Sequence, residues 1–130
     1  MALVLDTSAL IDMNFLNEDD PRYRDIAHKT ENDNCYVTPI VAAQVCFRLR
    51  KDLNVRIADD ILAMMRSGQW ITIAEDSDIV ELASEAMELG AVPSAAFTAA
   101  LARKHDASVV VGDSSFDNLQ SSGFCSILRY

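Results

Sequence analysis

Apolar and polar residues fall in blocks that switch between strand-like runs and helical spacing. Leu3-Val4-Leu5 is a short continuous apolar run and reads as a buried strand. It stops at Asp6-Thr7-Ser8, residue types that favour turns and helix caps. A helix is expected from Ala9 to Asn14. Asn17 to Pro21 is a helix-start signal, with the proline suited to a first turn, and Arg22 to Glu31 continues as a polar helix. Cys35-Tyr36-Val37 is the next strand. Thr38-Pro39 repeats the cap-then-proline start, and an apolar helix runs from there to Asp52. Val55, Ile57, Ile61, Leu62 and Met65 give helical periodicity, which Gly68 ends. Trp70 to Ile73 is a strand. Asp76-Ser77 caps a helix that Gly90 stops, and Ser94 opens an Ala-rich helix through Lys104. Ser108 to Val111 reads as a fully buried strand, Ser114 to Gln120 as a short helix and Ser126 to Leu128 as a last strand.

Strands thus alternate with helices, and the strands are near-continuously apolar. That combination argues for a parallel sheet covered on both faces. The expectation is a three-layer α/β/α fold with a central, mostly parallel sheet of about five strands, formed by residues 1–130 as a single domain. In such sheets ligands sit beyond the carboxyl ends of the strands, which decides which polar residues matter.

Composition narrows the picture. The chain has 130 residues, half of them hydrophobic, which suits one compact core. No apolar run reaches the ~18 residues of a membrane span. No basic region precedes the first apolar stretch and Asp6 interrupts it early, so no signal peptide and a cytoplasmic location are expected. Cys35, Cys46 and Cys125 are far apart and odd in number, which fits small buried hydrophobes rather than a disulfide or zinc framework. His28 and His105 are isolated and suit surface or helix-end roles. The net charge of −9 disfavours a broad electrostatic grip on nucleic acid. The one basic cluster is Arg48, Arg50, Lys51 and Arg56, with Arg66 near in sequence. It reads either as a patch for RNA or an acidic partner, or as an ordinary solvated helix end. Phe47, Met64 and Met65 suit a partner groove or core packing equally.

Two acids stand at strand ends. Asp6 follows the first strand directly, and Asp113 follows Val109-Val110-Val111 after one glycine. If those strands are neighbours, both carboxylates enter one crevice. Such a pair suits a Mg²⁺ or Mn²⁺ ion, because hard cations take oxygen ligands. The alternative is that each merely caps the helix that follows.

Leu3 to Ile11 resembles the first strand and acid of the PIN-domain family. Ala99 to Ala102 and Ala107 to Phe116 resemble its late helix, strand, acid and following Phe, and Gly123 to Leu128 its closing strand. Many members are ribonuclease toxins of the VapC type, paired with an antitoxin; others process ribosomal RNA. The resemblance implies phosphodiester cleavage by acids around one or two divalent ions. It makes Asp6 and Asp113 the catalytic and metal-binding acids, with Ser8 as a supporting polar residue. It also implies an antitoxin-like partner, an RNA substrate and a homodimer.

The chain departs from that pattern at two acids. Gln44, in Ala42-Ala43-Gln44-Val45, stands where the family has a Glu, and Ala95 stands where an acid opens the Ala-rich helix. An auxiliary acid position is occupied by Ser115. Asp117 and Asn118 lie nearby and are candidates to contribute instead. Two carboxylates neutralise one divalent ion and leave a second uncompensated. The expectation is weakened metal binding and weak or lost endoribonuclease activity. A non-catalytic PIN-fold module for RNA or protein binding is the alternative. A flavodoxin-like or receiver-like domain is a third reading, but the acidic pair and late Lys expected of a receiver are not evident.

Overall fold

Side-chain caps mark where the helices begin. Asp6, Asp20, Thr38 and Asn54 each accept a hydrogen bond from a backbone N–H of the turn that follows, which meets donors that a helix start leaves free. The computed structural model describes residues 2–130. Its strands are β1 (Ala2–Leu5), β2 (Asn34–Val37), β3 (Ile71–Ile73), β4 (Ser108–Val111) and β5 (Ser126–Arg129). Its helices are α1 (Thr7–Phe15), α2 (Pro21–Thr30), α3 (Pro39–Asp52), α4 (Val55–Ser67), α5 (Val80–Glu88), α6 (Pro93–Lys104) and α7 (Asp117–Ser121). A 3₁₀ turn, Ser77–Ile79, leads into α5.

The five strands form one sheet in the order β3-β2-β1-β4-β5, and every pairing is parallel. The expected α/β architecture is therefore present, with the sheet wholly rather than mostly parallel. The chain builds outward from β1 to β3 on one side, then crosses to the other side for β4 and β5. The direction of winding changes between β1 and β4, and in open α/β sheets that is where the ligand crevice lies.

Alternation along the strands feeds two separate cores. Val4, Val109 and Val111 face the side where α5, α6 and Phe116 pack. Leu3, Leu5 and Val110 face the side where Leu10 of α1, Val41, Val45 and Leu49 of α3, and Met65 of α4 pack. No helix among the described residues is long and apolar enough to cross a membrane.

The structure moves several sequence-derived boundaries. Trp70 lies outside β3 and is partly exposed, because the strand begins at the buried Ile71. Helix α6 begins at Pro93, whose fixed φ and missing N–H suit a first helical position. Helix α7 begins at Asp117 rather than Ser114, because Ser114 and Ser115 belong to a turn closed on Asp113.

Phe116, fully buried, follows that turn and belongs to the core on the α5 and α6 side of the sheet. Replacing Phe116 with Ala is expected to destabilise the fold by about 3–5 kcal/mol, read from urea denaturation. Leu53→Ala, at an exposed site, should change stability by less than about 0.5 kcal/mol.

Candidate active-site cleft

Parallel pairing of β1 with β4 aligns Leu5 with Val110. The next residue, Asp6, donates its N–H to the Val110 carbonyl at 3.1 Å, extending the ladder to the edge of the crevice. The two strands are neighbours, as the acid-pair reading required, and Asp6 and Asp113 line one open cleft of about 300 Å³. Thr7, Ser8, Ile11, Gln44, Val92, Ser94, Ala95 and Ser115 line it with them. The four positions that the resemblance marks as acidic thus line one cleft, and two of them hold carboxylates.

Asp6 is buried, 7% exposed, and caps α1. Its Oδ2 accepts from Ser8 Oγ at 3.1 Å and from the Ser8 N–H at 3.4 Å. Burial pushes its carboxyl above the usual range; hydrogen bonds from Thr7 and Ser8 oppose the shift, and the negative charge of Asp113 adds to it. Ser8 Oγ also accepts from the Gly112 N–H at 3.3 Å. One hydroxyl thereby ties the end of β1 to the end of β4.

Asp113 is exposed. Its Oδ1 accepts from the Ser115 N–H at 3.0 Å and from Ser115 Oγ. The serine at the auxiliary acid position therefore restrains Asp113 instead of adding charge. Gln44 Oε1 accepts from Thr7 Oγ1 at 2.8 Å, closing a clasp between α1 and α3 at the mouth of the cleft. Ala95 supplies no polar atom in its side chain.

None of the residues of the basic cluster lines the cleft. Arg48 is paired with Asp52 and stands over the Phe15 ring, 5.6 Å from its centroid. Arg50, Lys51 and Arg56 are exposed. Asp117 and Asn118 do not line the cleft: Asp117 is ion-paired with Arg129 on β5, and Asn118 is exposed on α7. Met65 is core, whereas Phe47 is 66% exposed. The cysteines are free, with Cys35 buried; His28 and His105 are exposed.

Two contributors had no clear sequence signal. Thr7 sits inside the opening motif, but its link to Gln44 depends on how α1 meets α3. Tyr130 follows β5, and its ring lies directly against Gly112: a Cβ there would fall 2.5 Å from the ring. Its hydroxyl donates to Asp12 Oδ2 at 2.6 Å. Burial, reinforced by Asp12, pushes the phenol above its ordinary range and keeps it a donor.

The donor set suits one hard divalent ion between Asp6 and Asp113, its other sites left to water or to neutral oxygens. It does not suit two ions. Among the described residues, no group of three or more His, Cys, Asp or Glu side chains is placed to hold a metal.

A sequence model of the family described as PIN domain matches residues 3–121. No curated protein matches the chain. Among solved structures, it is similar to a chain of VapBC2 from Rickettsia felis bound to a DNA fragment from their promoter. The TM-score is 0.75 at 15% identity, covering 100% of this chain and 99% of that one. VapC20 from Mycobacterium tuberculosis, a sarcin-ricin loop cleaving toxin, gives 0.69 at 18% identity, covering 94% and 95%. A toxin-antitoxin complex from Klebsiella pneumoniae gives 0.66 at 18% identity, covering 88% and 89%. At such identities the likeness is one of fold.

The raised carboxyl of Asp6 sets a pH dependence. In the folded state its pKa lies above the unfolded value, so the native protein binds the proton more tightly. Its contribution to stability is lost as pH rises from the unfolded value near 3.8 through the folded one. Asp6→Asn keeps a cap of comparable quality and carries no charge. With chelator present, the stability of Asp6→Asn relative to wild type is expected to increase from pH 4 to about pH 7, read from denaturation midpoints. A constant difference across that range would contradict the assignment.

Proposed function

The chain belongs to the PIN domain family, and from that premise we propose that it is a VapC-like member whose depleted acidic site leaves metal-dependent endoribonuclease activity weak or lost. One observation carries this reading. A single cleft gathers Asp6, Asp113, Gln44 and Ala95, so the missing acids are missing from the site itself.

In this proposal Asp6 and Asp113 hold one Mg²⁺ or Mn²⁺ ion. When bound, the ion activates water and neutralises phosphate charge. The side chains of this chain position and restrain. Ser8 holds Asp6, Ser115 holds Asp113, and the Gln44 amide offers a neutral oxygen already engaged by Thr7. Each carboxylate thus spends part of its acceptor capacity on a hydroxyl, and no third negative charge supports the ion. Asp117, drawn to Arg129, has no part in this version of the site.

The remaining elements are proposals of the same standing. RNA is the substrate class. The protein works in the cytoplasm as a homodimer and pairs with an antitoxin-like protein. The corner between α3 and α4 supports a protein partner: Phe47, Leu53, Val55 and Ile57 are exposed there beside Arg50, Lys51 and Arg56. Apolar area next to cations suits an acidic amphipathic segment. A non-catalytic binding role is the second reading, favoured by the neutral Thr7–Gln44 clasp where an anionic ligand would otherwise stand.

Titration with Mn²⁺ and cleavage of a structured RNA by wild type, Asp6→Asn and Asp113→Asn test the reading. Any wild-type cleavage should disappear in both variants. The double change Gln44→Glu with Ala95→Asp should raise Mn²⁺ affinity at least about tenfold, equivalent to about 1.4 kcal/mol, and increase cleavage. Cleavage that survives loss of either Asp, or no gain in affinity on restoring both acids, would overturn the assignment of the site.

A further inference from the structure

Asp6 and Asp113 sit on different elements, and their relative placement depends on whatever fixes the end of β1 against the turn after β4. Backbone pairing ends at the Asp6 N–H on Val110. Beyond it Ser8 Oγ, held by the Gly112 N–H, is the direct link between the two sides. Both sides of that link meet one further residue. Tyr130 lays its ring on Gly112, where only hydrogen fits. Its hydroxyl reaches Asp12, one helical turn beyond Ser8 on α1. Its backbone N–H reaches the Val111 carbonyl at 3.4 Å.

We propose that Tyr130 is a positioning residue for the cleft: clamped between Gly112 and Asp12, it fixes the Ser8–Gly112 link and through it the placement of Asp6 against Asp113. The idea rests on the reading of the cleft as a metal site for its consequence, but not for its geometry. Gly112 has no positive φ, so its missing side chain provides space for the ring rather than backbone freedom. The two parts of Tyr130 have separate tasks. The ring holds the turn that carries Asp113, and the hydroxyl holds α1, which carries Ser8.

That division gives the test. Tyr130→Phe keeps the ring and removes the hydroxyl, Tyr130→Ala removes both, and Asp12→Asn alters the far end of the hydroxyl's contact. The first measurement is metal-free amide hydrogen exchange on the whole chain, with the Val110 amide as the reporter of an intact core. Tyr130→Ala should speed exchange at Gly112 about tenfold or more while Val110 keeps its protection. Tyr130→Phe should restore most of the Gly112 protection, yet shift the Ser8 and Asp12 amide resonances as Asp12→Asn does. The second measurement is Mn²⁺ affinity in the Gln44→Glu, Ala95→Asp background. Loss of an outer support of this kind should weaken binding by about 10- to 100-fold in Tyr130→Ala, with partial recovery in Tyr130→Phe.

Unchanged Gly112 exchange in Tyr130→Ala overturns the proposal. So does unchanged Mn²⁺ affinity in a background that binds the ion. If Tyr130→Ala does not fold, Tyr130→Phe and Asp12→Asn decide, and the absence of any Ser8 shift in both would overturn it. A background that binds no Mn²⁺ would sink the metal reading of the cleft, while hydrogen exchange still decides the positioning role.

Discussion

The pairing of β1 with β4 is the contact on which the rest of the molecule depends. It joins the two halves of the sheet at the place where the winding reverses, and it is buried on both faces. Leu3, Val4 and Leu5 oppose Ser108, Val109 and Val110, and five of these six side chains are fully buried or nearly so. Full burial of an aliphatic side chain contributes roughly 1.5–3 kcal/mol, so this pairing has apolar stabilisation in excess of what its polar end costs. That excess lets the next residue be a buried carboxylate with an unfavourably raised pKa. A weaker central pair would splay at its end, and the two aspartates would no longer share a cleft.

The order of elements and the acid pair were legible because both follow from local chemistry. Strand runs, caps and prolines are short-range signals, and they located every helix and strand to within a few residues. Asp6 and Asp113 stood out because a polar residue that ends a buried strand must lie at the carboxyl edge of a parallel sheet. The convergence of Gln44 and Ala95 on the same cleft came from family resemblance, since nothing local marks either residue. What was not legible depends on non-local placement. Asp117 resembled a possible ligand by its nearness to Asp113 in sequence, but α7 starts late and presents it to Arg129. Trp70 looked like strand and lies outside it, because the buried strand begins one residue later. Tyr130 carries no motif at all; its importance appears only once Gly112 and Asp12 are brought to it from opposite directions.

The proposed depletion of the cleft has an electrostatic side. Four carboxylates gathered around one cleft repel one another, and a bound divalent ion offsets that repulsion. Each acid removed lowers the repulsion in the metal-free state and lowers the attraction for the ion. With Gln44 and Ala95 in place, the remaining conflict is between Asp6 and Asp113, and the protein answers it with hydroxyls: Ser8 on the first, Ser115 on the second, and Thr7 turned to Gln44. On the proposed reading, the neutral side chains that would weaken an ion site also lower the repulsion in the cleft without one. On that reading affinity is traded for stability at a single location, in line with the general tension between a strained site and a stable fold. Asp6 caps α1 and Ser8 ties the end of β1 to the end of β4, while Gln44 joins α3 to α1 through Thr7 and Ala95 packs into the core.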